Sequence, residues 1–297
     1  MSRIAYVNGR YVAHRDARVH VEDRGYQFAD GVYEVVALKA GRFVDLEPHL
    51  DRLDRSLGEL RIARPMARAA LRLAMEEVVR RNAVEDGIVY VQMTRGVAPR
   101  DHAFPGQART QVVMTARRLK PHPASHETHG VKAITFPDIR WGRCDVKSIA
   151  LLPNVLAKQA AREAKAYEAI FVTPEGEITE GSSTNVWIVT ADGELATHGS
   201  SAAILSGITR RTVMDIAREE GLRLVERRIT LAEALAAREV FVTSTTSFVM
   251  PVTQIDQTVV ANGRPGSVSA KLRQRYIAYM ARAEFGGRDP EIPGPSH

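Results

Sequence analysis

The stretch DIRWGRCDVKSIALLPNVLAKQ, residues 138–159, places Lys147 in a strand-like run that continues into apolar residues. A lysine on the solvent face of a strand is the ordinary interpretation, and for one lysine alone it is favoured. The alternative is a partly buried amine with a lowered pKa, able to form a Schiff base with a carbonyl compound. That alternative requires residues of matching chemistry elsewhere in the chain.

Later segments supply such residues. EITEGSSTNVW (177–187) places Glu180 beside small hydroxyl side chains, and LSGITRR (205–211) places a glycine turn before a predicted helix. A helix N-terminus offers free N–H groups and a positive dipole end to an anion, although capping is the commoner reason for such residues. In VTSTTSF (242–248), four hydroxyl residues end a strand and either satisfy a turn or reach a phosphate.

Taken together, these groups predict a site for pyridoxal 5′-phosphate. An amine suits its aldehyde, a carboxylate its pyridine nitrogen, and clustered donors its phosphate. The chain contains neither a Walker loop nor a glycine-rich dinucleotide turn. We predict no metal site, because His122, His126 and His129 have no carboxylate or cysteine at a useful spacing and are better explained as a solvated segment.

Composition limits the class of protein. The 297 residues are 44% hydrophobic and carry a net charge of +6, which allows one large or two medium domains. Basic residues alternate with acids in helix-like stretches, so we expect no nucleic-acid partner. Because no segment has the apolar length of a membrane span or the form of a signal peptide, we expect no membrane association. The single cysteine, Cys144, excludes an internal disulfide and fits a cytoplasmic location.

Hydrophobic patterning predicts a mixed fold of the α/β (α+β) class. A hairpin turns at Asn8 and Gly9, and helices begin near Pro48, Pro65 and Pro153. Further helices are predicted over 206–220, at the capping box TLAE (230–233) and over 270–285. The main strands are predicted at 31–44, 87–96, 111–119, 131–136, 168–172, 183–190 and 239–243.

Two prolines, a glycine and three histidines mark the segment LKPHPASHETHG (119–130) as the best candidate for a linker. We therefore expect an N-terminal α/β domain over 1–120 and an interdomain linker over 121–130. A C-terminal cofactor-binding domain is expected over 131–285, followed by a flexible tail over 286–297.

Several strings resemble, in order, those of the class IV aminotransferases, also called fold-type IV pyridoxal-phosphate enzymes, and among them the D-amino-acid transaminases. The strings are EDRGYQFADGVYEVV (22–36), HLDRL (49–53), TRG (94–96), PRDHAFP (99–105), residues 138–159, EGSSTNVW (180–187), ILSGITR (204–210) and FVTSTTS (241–247). They cover nearly the whole chain outside the linker and tail. The resemblance implies a two-domain homodimer, with a smaller N-terminal α/β domain and a larger C-terminal α/β pseudo-barrel domain.

The resemblance also implies roles for individual residues. Lys147 would hold the cofactor as a Schiff base and move the proton at the substrate α-carbon, and Glu180 would face the pyridine nitrogen. The other cofactor-binding residues it implies are Arg52, Ser183, Leu205, Gly207, Ile208, Thr209, Ser244 and Thr245. For Arg52, an ion pair with Asp51 or Asp54 on its own helix remains an alternative.

The substrate-binding residues that the resemblance implies are Tyr33, Val35, Arg100, His102 and Thr246. Arg100 and His102, together with Tyr33, would hold the substrate α-carboxylate, because a guanidinium donates two parallel hydrogen bonds to a carboxylate. In this family the loop with the Arg and His comes from the neighbouring subunit. The alternative for PRDH (99–102) is an exposed charged loop.

Two relatives with the same fold remain as alternatives. L-branched-chain aminotransferases usually carry GVFEGIR where this chain has GVYEVVA (31–37), and aminodeoxychorismate lyases tend to place a threonine near Val35. Neither substitution is present, which favours D-amino acids (D-alanine, D-glutamate, D-aspartate) and 2-oxo acids (2-oxoglutarate, pyruvate) as substrates. Pro153 and Asn154 depart from the pattern without indicating a change of substrate.

Overall fold

A computed structural model of the chain describes residues 3–282. Within this range the α-helices are α1 Arg24–Phe28, α2 Leu46–Glu59, α3 Arg68–Asn82, α4 Ala124–His129, α5 Leu152–Glu163, α6 Ile208–Glu219, α7 Leu231–Ala236 and α8 Ser267–Arg282. The strands are β1 Ile4–Val7, β2 Arg10–Ala13, β3 Gly31–Lys39, β4 Arg42–Phe43, β5 Gly87–Thr94, β6 Gln111–Arg118, β7 Val131–Pro137, β8 Glu168–Val172, β9 Glu177–Gly181, β10 Asn185–Val189, β11 Leu195–Thr197, β12 Leu224–Glu226, β13 Ile229–Thr230, β14 Glu239–Ser244, β15 Phe248–Ile255 and β16 Thr258–Val259.

The first sheet contains strands β1 to β6 in the order β2-β1-β6-β5-β3-β4. Its first hairpin turns at Asn8 and Gly9, whose φ angles of 50° and 92° are the left-handed values that an Asn-Gly turn provides. Helices α2 and α3 cover one face, where Leu53, Met75 and Met114 are fully buried. The predicted hairpin is therefore confirmed, and α2 begins two residues before Pro48.

The second sheet begins at β7 and follows the order β12-β11-β10-β14-β15-β7-β8-β9-β13, with β16 paired to β15. Helices α6 and α8 pack on one face, where Trp187 and Phe241 stack with ring centroids 5.5 Å apart. The capping box predicted at α7 is confirmed, because Thr230 and Glu233 exchange side-chain to backbone hydrogen bonds. Both sheets with their helices confirm the mixed α/β class.

The segment between the sheets contains a short helix. Residues 124–129 form the short helix α4, which packs on β15. Glu127 of this helix pairs with Arg273 of α8. The proposed tail at 286–297 and the last three residues of the helix predicted over 270–285 lie outside the described residues.

The segment with Lys147 is irregular, so the strand predicted there is wrong. Instead of forming a strand, it lies along β3: the amide of Tyr33 donates to the carbonyl of Lys147 at 3.0 Å, and Ser148 makes a single bridge with Val32. A Cβ on Gly31 would lie 2.6 Å from the carbonyl oxygen of Met93, so glycine is required at this position. These contacts hold the segment that contains Lys147 against the first sheet.

Candidate active site

A cavity of about 210 Å³ lies between the two sheets. Strand β3 and helix α2 of the N-terminal part contribute to its wall, and so do β9, β14 and the loop before α6 of the C-terminal part. The residues predicted from the sequence that line it are Tyr33, Val35, Arg52, Lys147, Glu180, Ser183, Leu205, Gly207, Ile208, Thr209, Ser244, Thr245 and Thr246. The fold thus brings together residues from distant parts of the chain.

Lys147 is half-buried in the cavity wall. Its ammonium nitrogen lies 4.3 Å from the ring centroid of Tyr33, a cation–π distance. Its backbone amide donates to the Ser56 hydroxyl on α2 at 3.2 Å, which fixes the main chain at this position. A primary amine is therefore held next to the aromatic ring that the resemblance assigns to the substrate.

Glu180 is buried and surrounded by donors. Arg140 donates to one carboxylate oxygen, while the amide of Leu205 at 3.0 Å and the side chain of Asn185 at 3.3 Å donate to the other. Burial raises the pKa of Glu180 to about 7, and the charges of Arg140 and Lys147 oppose that rise. A positively charged group placed against Glu180 would favour its ionised form.

Arg140 was missed in the sequence, although it has a large part in the site. Its guanidinium makes a two-pronged contact with Asp138, at 2.9 and 2.7 Å, and also donates to the hydroxyl of Thr179. The signal for it is the D-x-R spacing at 138–140, but its meaning depends on Glu180, which is 40 residues away. Arg140 is a positioning residue for Glu180 because it fixes one carboxylate oxygen.

Arg52 does not pair with Asp51 or Asp54, so the ion pair considered for its own helix is wrong. It donates from two nitrogens to Glu34 of β3, at 2.7 and 2.9 Å, and from a third to the carbonyl of Ser206 at 2.9 Å. Burial alone would raise the pKa of Glu34, but Arg52 and His49 hold it well below its usual range. The buried carboxylate of Glu34 thereby orients Arg52 towards the loop before α6.

The N-terminus of α6 opens into the cavity. Its N-cap residue, Gly207, makes no side-chain capping bond. A Cβ on Gly207 would lie 2.1 Å from the side-chain oxygen of Asn185, so only glycine lets the backbone come this close. The first-turn amides of Ile208 and Thr209 therefore lie where an anion can bind.

The hydroxyl residues form a turn between β14 and β15. Ser244 and Phe248 pair across it, and Thr245 and Thr246 line the cavity. The Ser244 hydroxyl accepts a hydrogen bond from the amide of Ser247 at 3.0 Å, which closes the turn. This wall presents further polar donors on the same cavity as the α6 N-terminus.

The residues present fit pyridoxal phosphate. Besides an amine, a carboxylate and an anion cup, the wall contains the hydroxyl of Thr184, which is buried without a hydrogen-bond partner among the described residues. A buried unpartnered hydroxyl is costly unless a ligand or water meets it. The amine, the carboxylate and the anion cup are the groups that the aldehyde, the ring nitrogen and the phosphate of this cofactor require.

Arg100 and His102 do not line the cavity of their own chain. Both are exposed, and the guanidinium of Arg100 lies 4.5 Å from the ring centroid of Phe28. The buried Arg24 donates to the carbonyls of Asp101 and His102, which holds the loop in place from below. The loop is thus ordered but presents its side chains outward.

Asn154, which had no interpretation from the sequence, also lines the cavity. Its side-chain amide donates to the carbonyl of Ser182 at 2.9 Å. Ser182 and Ser183 in turn donate to Glu168, which is fully buried. Asn154 therefore connects the start of α5 to the turn that follows Glu180.

Comparison with known proteins identifies the family. Residues 31–255 match the family model of the amino-transferase class IV. The chain belongs to this family. D-alanine aminotransferases from Listeria monocytogenes serotype 1/2a (strain 10403S) and Bacillus licheniformis are each 42% identical to it, over 93% and 90% of this chain and 96% and 93% of theirs.

Solved structures of the family share the fold. A branched-chain aminotransferase from the thermophilic archaeon Thermoproteus uzoniensis, solved with norvaline, superposes with a TM-score of 0.84 at 28% identity, covering 96% of both chains. The 4-amino-4-deoxychorismate lyase of Pseudomonas aeruginosa gives a TM-score of 0.79 at 26% identity, covering 91% of this chain and 97% of its own. The chain is therefore an aminotransferase of this fold, and its similarity is higher to relatives named for D-alanine.

Proposed function

We propose that this aminotransferase exchanges the amino group of D-amino acids of the D-alanine, D-glutamate and D-aspartate class with 2-oxo acids such as 2-oxoglutarate and pyruvate, using pyridoxal 5′-phosphate. The observation that carries the proposal is the single cavity that joins Lys147, Glu180 and the α6 N-terminus. The 42% identity to D-alanine aminotransferases supports the choice of substrate class.

Lys147, Glu180 and the anion cup have separate tasks. When bound, the cofactor supplies an electron sink for the carbon that loses its proton. The amine of Lys147 would hold the cofactor and would move the proton away from, or back to, the substrate α-carbon. Glu180, held by Arg140 and the amide of Leu205, would supply negative charge to a protonated ring nitrogen.

We assign phosphate binding to a second set of groups in the cavity wall. The first-turn amides of α6 and the side chains of Arg52 and Thr245 would hold the phosphate. Ser183, Leu205 and Ser244 would lie against the cofactor. Because Glu34 already holds the Arg52 side chain, binding of a phosphate by its remaining N–H groups would cost little further conformational entropy.

The substrate carboxylate requires a second copy of the chain. Because Arg100 and His102 face outward, we propose that the neighbouring subunit of a homodimer supplies them, beside Tyr33 and Thr246 of this chain. The α5 face and the segment before it support such a contact, since Ile139, Trp141, Leu152, Val155 and Leu156 are exposed apolar residues next to the cavity. The complete site would then contain residues of both subunits.

None of the helices in residues 3–282 combines the length and apolar character needed to cross a bilayer.

We expect the substrates to be small molecules. Part of the positive net charge would serve to bind them and the cofactor, since Lys147, Arg52 and Arg100 would meet an aldehyde, a phosphate and a carboxylate. The lone Cys144, whose thiol donates to the carbonyl of Trp141 at 3.2 Å, fits a reducing cytoplasm.

The test is a comparison of enantiomers. The protein loaded with pyridoxal phosphate is incubated with D-alanine or L-alanine plus 2-oxoglutarate, and pyruvate is measured. We expect rapid pyruvate formation from D-alanine and little from L-alanine. Turnover of L-alanine alone, or formation of glutamate from 2-oxoglutarate with L-leucine but not with D-alanine, would make the protein an L-specific relative. Pyruvate from aminodeoxychorismate without an acceptor would make it a lyase.

A further inference from the structure

The hydroxyl turn of the cavity is held from behind by the segment between the two sheets. His122, just before α4, lies with its Nε2 atom 2.8 Å from the carbonyl oxygen of Thr246. A carbonyl oxygen can only accept, so Nε2 of His122 must carry the hydrogen. The contact joins residues that are 124 positions apart in the chain.

Other groups of the same neighbourhood hold the next residue of the turn. The hydroxyls of Tyr167 and Ser247 lie 2.6 Å apart, and Arg273 donates to the carbonyls of Ser247 and Val249 at 3.3 and 2.9 Å. The ring of His122 lies 6.1 Å from that of Tyr167, edge to face. Of these contacts, the His122 hydrogen bond is the one that reaches the cavity-lining residue Thr246 itself.

We propose that His122 is a positioning residue, which sets the backbone of Thr246 and thereby the shape of the substrate side of the cavity. The inference rests on the proposed function, in which Thr246 contacts the substrate. A turn that lost this bond would sample more conformations, and a substrate would have to restrict them on binding. The effect should therefore fall on substrate affinity rather than on the chemical step.

Two substitutions separate the hydrogen bond from ring packing. His122→Phe retains a ring beside Tyr167 but has no donor, whereas His122→Gln retains an N–H donor without a ring. His129→Ala is the matched control, because His129 is an exposed histidine on the same segment. All three are compared with the wild type as pyridoxal-phosphate-loaded protein.

We expect His122→Phe to raise the KM for D-alanine by about tenfold, the size of one neutral hydrogen bond, with kcat and the Kd for pyridoxal phosphate within about threefold of wild type. His122→Gln should restore KM to within about threefold of wild type, and His129→Ala should change nothing. Equal impairment in His122→Phe and His122→Gln, or an unchanged KM in His122→Phe, would overturn the proposal.

A second measurement does not depend on turnover. Amide hydrogen exchange of residues 244–248 should be faster in His122→Phe than in wild type, and near the wild-type rate in His122→Gln. Unchanged exchange in His122→Phe would refute the anchoring role even if D-alanine proved not to be a substrate. If the wild type did not turn over D-alanine but the exchange rates of the variants were as expected, the proposed function and the effect on KM would be wrong. The anchoring of the turn by His122 would still be supported.

Discussion

Glu180 has donors on both carboxylate oxygens, yet burial raises its pKa to about 7. Below about pH 7 the fold therefore favours the neutral form unless a cationic ligand lies beside the carboxylate. Between the usual value of 4.5 and about 7, the folded state binds more protons at this position than the unfolded state does. The contribution of Glu180 to stability consequently falls as the pH rises through that window.

The cofactor-free protein should show this effect in urea unfolding between pH 4.5 and 7. The free energy of unfolding of wild type, relative to Glu180→Gln, should fall by up to about 1.4 kcal/mol per pH unit as the pH rises. Glu163→Gln, on the exposed face of α5, is the control and should keep the slope of the wild type. A difference between wild type and Glu180→Gln that does not vary with pH would be evidence against a raised pKa.

At the scale of elements, helix α6 contributes a backbone site that depends on one glycine. Gly207 has φ −67° and ψ 135°, which any residue can adopt, so alanine there meets no backbone strain. Its Cβ would nevertheless lie 2.1 Å from the side-chain oxygen of Asn185, a residue whose side-chain amide also donates to Glu180. An added methyl group must therefore displace the wall on which both the anion cup and the carboxylate depend.

Gly207→Ala should raise the Kd for pyridoxal phosphate by about tenfold or more, as measured by absorbance titration. The loss of affinity caused by Gly207→Ala should be smaller for pyridoxal, which has no phosphate. Gly58→Ala provides the matched control, because a Cβ at Gly58 of α2 would meet nothing within 4 Å. The same Kd in Gly207→Ala and wild type would argue that the phosphate binds elsewhere.

The sequence predicted the elements better than their connections. The hairpin at Asn8 and Gly9 and the capping box at Thr230 are local patterns, decided by a few adjacent residues, and both occur as predicted. Lys147 was placed in a strand because its segment runs on into apolar residues, but that segment lies along β3 through only a few backbone bonds. Such a segment is defined by tertiary contacts that no local pattern contains.

In the candidate site too, local patterns could be predicted and tertiary contacts could not. Lys147 and Glu180 could be predicted because they occur together with hydroxyl-rich and glycine-containing segments, and because the strings around them resemble those of a known family. Arg140 could not, because an arginine near an aspartate normally indicates a surface ion pair, and Glu180 is distant in the chain. Arg52 is a similar case. The sequence offered an ion pair with its neighbours on α2 as an alternative, but its partner is Glu34 on β3.

At the scale of the whole molecule, the exposed apolar residues beside the cavity are the basis for the proposed homodimer. Leu152 at the start of α5 is 69% exposed, and Leu73 on α3 is 66% exposed. The two leucines therefore have the same chemistry and similar exposure, but Leu152 is the one near the cavity, whose wall includes the adjacent Leu151. A charge at Leu152 would be buried in the proposed interface, whereas a charge at Leu73 would remain in water.

Leu152→Asp should dissociate the dimer at micromolar concentration, as measured by light scattering. It should also lower kcat/KM for D-alanine by roughly tenfold or more, because the active site would lose Arg100 and His102 of the partner subunit. Leu73→Asp should leave both the mass in solution and kcat/KM unchanged. A monomeric wild type, or a Leu152→Asp variant with wild-type mass and activity, would contradict the shared site.

The most direct measurement concerns the attachment of the cofactor to Lys147. Wild type and Lys147→Ala are incubated with pyridoxal phosphate, reduced with borohydride and digested, and the modified peptide is identified by mass spectrometry. We predict one reduced adduct, on the peptide that contains Lys147, and its loss in Lys147→Ala. An adduct that persists in Lys147→Ala, or that maps to another lysine in the wild type, would contradict the assignment.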